Sequence, residues 1–158
     1  MDGFHYPKSY LDAQDEPAAW RTRRGAPWTF DSAAFVRCLQ RVRRDAREDV
    51  GVPSFNHGIG DPENDGITVS SHCSIVFVEG LYLFLDSPHW KDVSPLLHER
   101  WFLDVPLDTA MHRTCVRHES TGLTPESAIL RIESNDRLNA EMVADTKHNA
   151  DVCIRAYY

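Results

Sequence analysis

Apolar positions along this chain recur with more than one period. Phe35, Leu39, Val42 and Ala46 follow at spacings of four, three and four, which puts them on one face of a helix. Asp31 precedes them as a cap. Gly51, with Pro53 just beyond, predicts where that helix stops. Ser74-Ile75-Val76-Phe77-Val78 is a continuous apolar run rather than an alternating one, which predicts a strand buried on both faces of a parallel sheet. Trp101-Phe102-Leu103-Asp104-Val105 predicts a second strand, stopped by Pro106. Asp108 is expected to cap a helix running to about His118, broken at Gly122. Thr124-Pro125 opens another helix with proline at its first position, and Ile129, Ile132, Leu138, Met142 and Val143 give it a broken apolar face. Asp151-Val152-Cys153-Ile154 reads as a last short strand, and Ile67-Thr68-Val69 as a further one. Residues 6–30, interrupted by Tyr6-Pro7, Glu16-Pro17 and an Arg24–Pro27 turn, are expected to form an irregular functional loop. Residues 53–66, rich in Pro, Gly, Asn and Asp, are expected to form a long connection. Strands alternating with helices predict an α/β fold, although three strands are few for such a sheet.

Length and composition narrow this picture. The 158 residues suffice for one domain with its own core. The apolar share of 42% and charged share of 26% are those of an ordinary globular chain. No window approaches the ~18 consecutive apolar residues of a membrane span, and Met1–His5 does not open a signal peptide, so a cytoplasmic protein is expected. Cys38, Cys73, Cys115 and Cys153 form no CxxC pair and read as buried free thiols. His72-Cys73 are adjacent, but no HxxxH or CxxC spacing goes with them, so no metal site is expected. The net charge of −7 disfavours nucleic acid. Its distribution is uneven: residues 21–47 hold eight arginines against Asp31 and Asp45, a local charge of +6 that leaves −13 elsewhere. That suits a small anionic ligand better than a polyanion, and a solvated helix face accounts equally well for Arg41, Arg43, Arg44 and Arg47.

Five ordered segments then carry a resemblance: Asp2-Gly3-Phe4-His5-Tyr6-Pro7, Arg23 through Asp31, Pro53-Ser54-Phe55-Asn56-His57, Glu79-Gly80-Leu81-Tyr82, and Arg113 through His118. Their order and separations resemble the P-loop small-molecule kinases of the pantothenate kinase, uridine kinase and phosphoribulokinase superfamily. The resemblance covers nearly the whole chain and implies a three-layer αβα fold around a parallel sheet, as a single domain over 1–158 with a lid at about 109–145. It implies that Asp2 is the base facing the acceptor hydroxyl, and that His5, Tyr6, Arg24 and His57 bind the acceptor. Phe55 stands where the family carries a tyrosine, so that hydroxyl is lost. Glu79 is implied near magnesium, and Arg113, Arg117 and Arg131 over the ATP phosphates, where arginine's fixed fork suits phosphate oxygens. A terminal turn for Asp2, an unliganded loop position for His57, a strand-end turn for Glu79 and a solvated helix face for the arginines are the plainer alternatives.

One part of the pattern is absent. No Gly-x-x-x-x-Gly-Lys-Ser/Thr occurs in the chain, and that loop is what cradles the phosphates. The resemblance puts it upstream of Asp2, with the first two strands, so the expected fold is incomplete. An internal methionine taken as the start and a shortened gene reading would each produce this. With its central strand missing, the sheet is expected to be poorly stable or to close residues 74–78 onto 101–105. The implied function is ATP- and magnesium-dependent phosphorylation of an alcohol group on a small metabolite, whether pantothenate, nucleoside or sugar, inactive in this chain alone. The alternative is a non-catalytic small-anion binding or regulatory protein. The expected partner is a small molecule, not nucleic acid or membrane, and a homodimer is admitted.

Overall fold

In the computed structural model, residues 1–44, 48–56 and 58–156 are described. The chain opens with a 3-10 turn, Asp2–Phe4. Two short helices follow, α1 (Lys8–Asp12) and α2 (Pro17–Thr22), and then a 3-10 turn at Pro27–Thr29. The region expected to be irregular is therefore half helical. Each proline sits at or just before a helix start, where its missing N–H costs nothing. Helix α3 (Ser32–Arg44) is where its periodicity predicts it. The Asp31 carboxylate accepts the Ala34 N–H at 2.8 Å, so the predicted cap is present. Phe35 and Leu39 of its apolar face are buried. Ala46 lies outside the described residues.

Gly51 does not end that helix. It lies inside strand β1 (Val50–Asn56), which pairs antiparallel with β2 (Asp61–Val69). The long connection expected at 53–66 is this hairpin. Val50 faces Val69 and Val52 faces Ile67, then the register shifts between Val52 and Ser54. Pro53, which has no N–H to give a ladder, sits at that irregularity. Gly3 brings the opening turn against β1: a Cβ there would lie 1.9 Å from the Pro53 carbonyl oxygen.

The strand expected at 74–78 is not formed. Those residues lack regular structure and pairing, with Phe77 85% exposed. A parallel strand exists only through the N–H and C=O groups of a neighbour, and no described strand lies alongside this run. Strand β3 (Trp101–Asp104) pairs in parallel with β4 (Val152–Arg155), from Trp101 opposite Val152 to Asp104 opposite Arg155. It does not close onto residues 74–78. Arg100 and Asp151 form an ion pair at 2.5 Å just ahead of this ladder.

Between β3 and β4 run α4 (Leu107–Ser120), α5 (Pro125–Arg131), a π-helical turn (Ile132–Asp136) and α6 (Arg137–Asp145). Asp108 does not cap α4; it sits in the first turn, and Pro106 occupies the cap position. Thr124 does cap α5, accepting the Ser127 N–H. The result is an α/β fold whose parallel sheet has two strands among the described residues. Its core is aromatic. Phe30, Tyr82 and Trp90 pack mutually with ring centroids 5.4–5.9 Å apart, and Phe35 joins at Trp90. The four thiols are free, but only Cys38 is buried; Cys115 is half-buried, and Cys73 and Cys153 are exposed, correcting the expectation of buried cysteines. Burial pushes the Cys38 thiol up, which keeps it protonated. No helix among the described residues is long and apolar enough to cross a membrane.

Candidate acceptor site

The first six residues are held in place by main-chain bonds. The Met1 amine donates to the Glu79 carbonyl at 2.8 Å. That bond brings the Asp2 turn beside the Glu79-Gly80 end of the apolar run, so two residues far apart in sequence become neighbours. Further along, the Asp31 N–H donates to the Phe4 carbonyl at 2.8 Å and the Tyr6 N–H to the Thr29 carbonyl at 2.9 Å. His5 and Phe30 form an isolated antiparallel bridge. Asp2 itself is exposed, and no hydrogen bond among the described residues ends on its carboxylate.

His5 lies between two rings, with centroids 3.9 Å from Phe30 and 4.8 Å from Phe55. Its Nδ1 is 2.8 Å from the Asp2 carbonyl oxygen. Burial lowers its pKa, outweighing the Asp2 carbonyl and charge, which act in the opposite direction. Tyr6 stacks on Tyr10 at 4.0 Å. Burial, then the nearby Asp31 charge, raises the Tyr6 phenol.

Arg24 reaches the same place from the turn before Pro27. Gly25, at φ +107°, gives that turn a conformation a side chain would resist. The Arg24 guanidinium lies 5.6 Å from the centre of the Phe55 ring, within cation–π range. It donates to the Tyr6 carbonyl at 3.0 Å, to the Gly60 carbonyl at 2.5 Å and to Asp61 at 2.9 Å. Its Nε is buried and has no partner among the described residues. Burial pushes the Asp61 carboxyl up, but the Lys8 N–H and Arg24 outweigh it and hold it below its ordinary value. An anionic acceptor would therefore compete with Asp61 for Arg24.

His5 and Arg24 thus meet at Phe55, the Tyr6 carbonyl joins them through Arg24, and His57 lies outside the described residues. An open cleft of ≈610 Å³ runs past His5, Tyr6, Asp31 and Pro53 to Arg37 and Arg41 of α3, which gives part of the basic segment a location. Arg113 and Arg117 are exposed and share a face of α4; Arg131 is exposed at the end of α5. None of the three is hydrogen-bonded to Asp2 or Glu79 among the described residues. Asp61, Asn135 and Asn139 escaped the sequence reading. Asp61 falls in a stretch read as loop, and nothing local marks either asparagine as a partner of residues more than a hundred positions away.

No cluster of three or more His, Cys, Asp or Glu side chains suited to a metal ion occurs among the described residues. Magnesium of the kind the resemblance implies is held mainly by substrate phosphates and waters with one or two carboxylates. The exposed Glu79 fits that limited role and no larger one.

No family model matches the chain. It is 38% identical over 152 residues to the ATP-dependent kinase-like protein notR' of Aspergillus versicolor, covering 93% of this chain and 88% of that one. It is 37% identical over 157 residues to a Schizosaccharomyces pombe protein provisionally named a uridine kinase, covering 98% of this chain and 67% of the relative. Its fold matches the crystal structure of YFH7 from Saccharomyces cerevisiae, described as a provisional P-loop-containing kinase with a circular permutation. The TM-score is 0.87 at 29% identity, over all of this chain and 57% of that one.

Proposed function

This chain belongs to the P-loop small-molecule kinase superfamily, and we propose that it carries the acceptor half of an ATP-dependent phosphotransferase acting on an alcohol group of a small metabolite. The observation that supports this is the Met1–Glu79 main-chain bond, which holds the turn bearing the exposed Asp2 at the Glu79 end of the apolar run. In the proposed step the acceptor oxygen attacks the γ-phosphorus, its proton passes to Asp2, and the bond from γ-phosphorus to the bridging oxygen breaks to release ADP. His5, with its pKa lowered by burial, and Phe55 present an aromatic, largely neutral wall to the acceptor. Arg24, held by Asp61, orients the acceptor's polar end. Arg113 and Arg117 would face the phosphates, and magnesium bound with ATP would offset charge on them.

The phosphate cradle itself is absent from these 158 residues. We assign it to chain outside them, because the apolar run at 74–78 and the outer face of β3 stand open. The test uses a version extended upstream through a Gly-x-x-x-x-Gly-Lys-Ser/Thr loop, with uridine as the first acceptor probed. Phosphate transfer that falls by about 10²–10⁴ in kcat for Asp2→Asn supports the reading. Undiminished turnover by Asp2→Asn, or no ATP binding by the extended version, overturns it. The absent loop also favours a second reading, a non-catalytic binder of small anions. Saturable uridine or phosphate binding by the 158-residue chain without nucleotide, with no transfer by the extended version, would select it.

A further inference from the structure

Asn135 of the π-helical turn and Asn139 of α6 form a buried hydrogen-bonded cluster that the acceptor site described above does not use. Asn135 and Asn139 are 2% and 5% exposed, so an amide group left unpaired there would be costly. Both are paired. The Arg23 guanidinium spans them, donating from Nε to Asn135 Oδ1 at 3.1 Å and from Nη2 to Asn139 Oδ1 at 3.0 Å. Asn139 Nδ2 donates back to Asn135 Oδ1 at 3.3 Å. Asn135 Nδ2 donates to the Arg24 carbonyl at 3.2 Å. The next carbonyl, Gly25, accepts from the Tyr82 hydroxyl at 2.5 Å. Two successive peptides of the turn that presents Arg24 are therefore fixed from behind, while the Arg24 side chain reaches forward to Tyr6 and Asp61.

The same π-helical turn has a second attachment. Asp136, adjacent to Asn135, meets His118 Nε2 at 2.7 Å. His118 lies on α4 with Arg113 and Arg117. Adjacent residues thus tie the Arg24 turn to one neighbour and the arginine-bearing helix to another. π-Helical turns recur at functional sites because the widened turn re-aims its side chains.

We propose that Asn135 and Asn139 are positioning residues that latch the Arg23–Gly25 turn to the α4–α6 helices, so that acceptor binding and the seating of those helices are coupled. The acceptor role of Arg24 rests on the function proposed above; the latch does not. Neither asparagine touches the acceptor. They act through the Arg24 main chain.

Amide hydrogen exchange on the 158-residue chain tests the latch without any ligand. In Asn135→Ala, the Gly25, Ala26 and Thr29 amides are expected to exchange at least tenfold faster, with α3 and β1 unchanged. Arg23→Lys, which keeps the charge but loses the fork, is the milder variant and should move the same amides less. Arg137→Ala, which removes only exposed ion pairs to Glu133 and Asp108, should move none. Arg23→Ala and Asn135→Ala should be non-additive. In the extended protein, Asn135→Ala should raise the KM for uridine at least tenfold and leave the KM for ATP within twofold. Unchanged exchange at 25–29, or a rise spread evenly through α3 and β1 as in a generally weakened fold, overturns the latch. Failure of the wild-type extended protein to phosphorylate uridine overturns only that acceptor; the exchange result stands by itself.

Discussion

At the scale of single residues, the proposed acceptor site is built from groups whose sequence neighbours say little about their surroundings. His5 shows this best. A histidine after Asp-Gly-Phe can be an exposed ligand or a packed ring, and the chain decides by placing Phe30 and Phe55 on either side of it. Its lowered pKa has a consequence for stability. Between the folded value and the ordinary 6.5 the unfolded chain binds more protons, so stability rises with pH through that window. Its contribution is complete above pH 6.5 and is lost as pH falls toward the folded pKa. Urea midpoints measured from pH 7 to pH 5 should therefore fall more for the wild type than for His5→Asn. Parallel slopes for the two proteins would refute the buried neutral imidazole. Arg24 stands out in the sequence as a candidate position, but its engagement by Asp61 does not. The partner lies 37 positions away, in residues that read as loop.

At the scale of elements, legibility follows whether the stabilising contacts are local. Helix α3 was readable because its cap and its apolar face lie within one segment. Asp31→Ala should lower stability by ~1 kcal/mol through loss of the Ala34 N–H bond alone. Asp31→Ser should recover most of that loss, as read from denaturant midpoints; equal midpoints for wild type and Asp31→Ala would show the cap to be idle. Helix α5 was readable for the same reason, through Thr124 and Pro125. Of the β1–β2 hairpin only the end of β2, Ile67–Val69, was readable; the pairing was not. Gly51, Pro53 and Gly66 argue against strands locally, and the pairing depends on a register shift that absorbs the proline. The signal that could have found it is the apolar alternation of Val50 and Val52 matched by Ile67 and Val69 across a turn containing Gly58 and Gly60. The Asp108 cap was misjudged because Pro106 already takes the cap position with its own fixed φ.

At the scale of the whole molecule, the uncovered apolar surface is the main feature. Ile75 and Phe77 are 73% and 85% exposed, and Leu103 on β3 is 64% exposed. Burying such side chains is worth roughly 1.5–3 kcal/mol each, so this surface is where a covering segment would act. Phe77→Asp should change the stability of the 158-residue chain by no more than ~0.5 kcal/mol, as expected for an exposed site. In a version extended upstream the same change should cost ~3 kcal/mol or more, as for a buried aromatic. Equal costs in the two versions, read from urea unfolding, would refute coverage by the added segment. The sequence by itself determined the superfamily, helices α3, α4 and α5, and the β3 and β4 strands. Each depends on local periodicity, on caps, or on motifs whose order survives without coordinates. Only the tertiary structure decided that the most strand-like run, Ser74–Val78, pairs with nothing described, and that a carboxylate and two asparagines hold Arg23 and Arg24. Strand pairing and buried hydrogen bonds are made between residues distant in the chain, and the pattern of one segment carries no record of what comes to lie beside it.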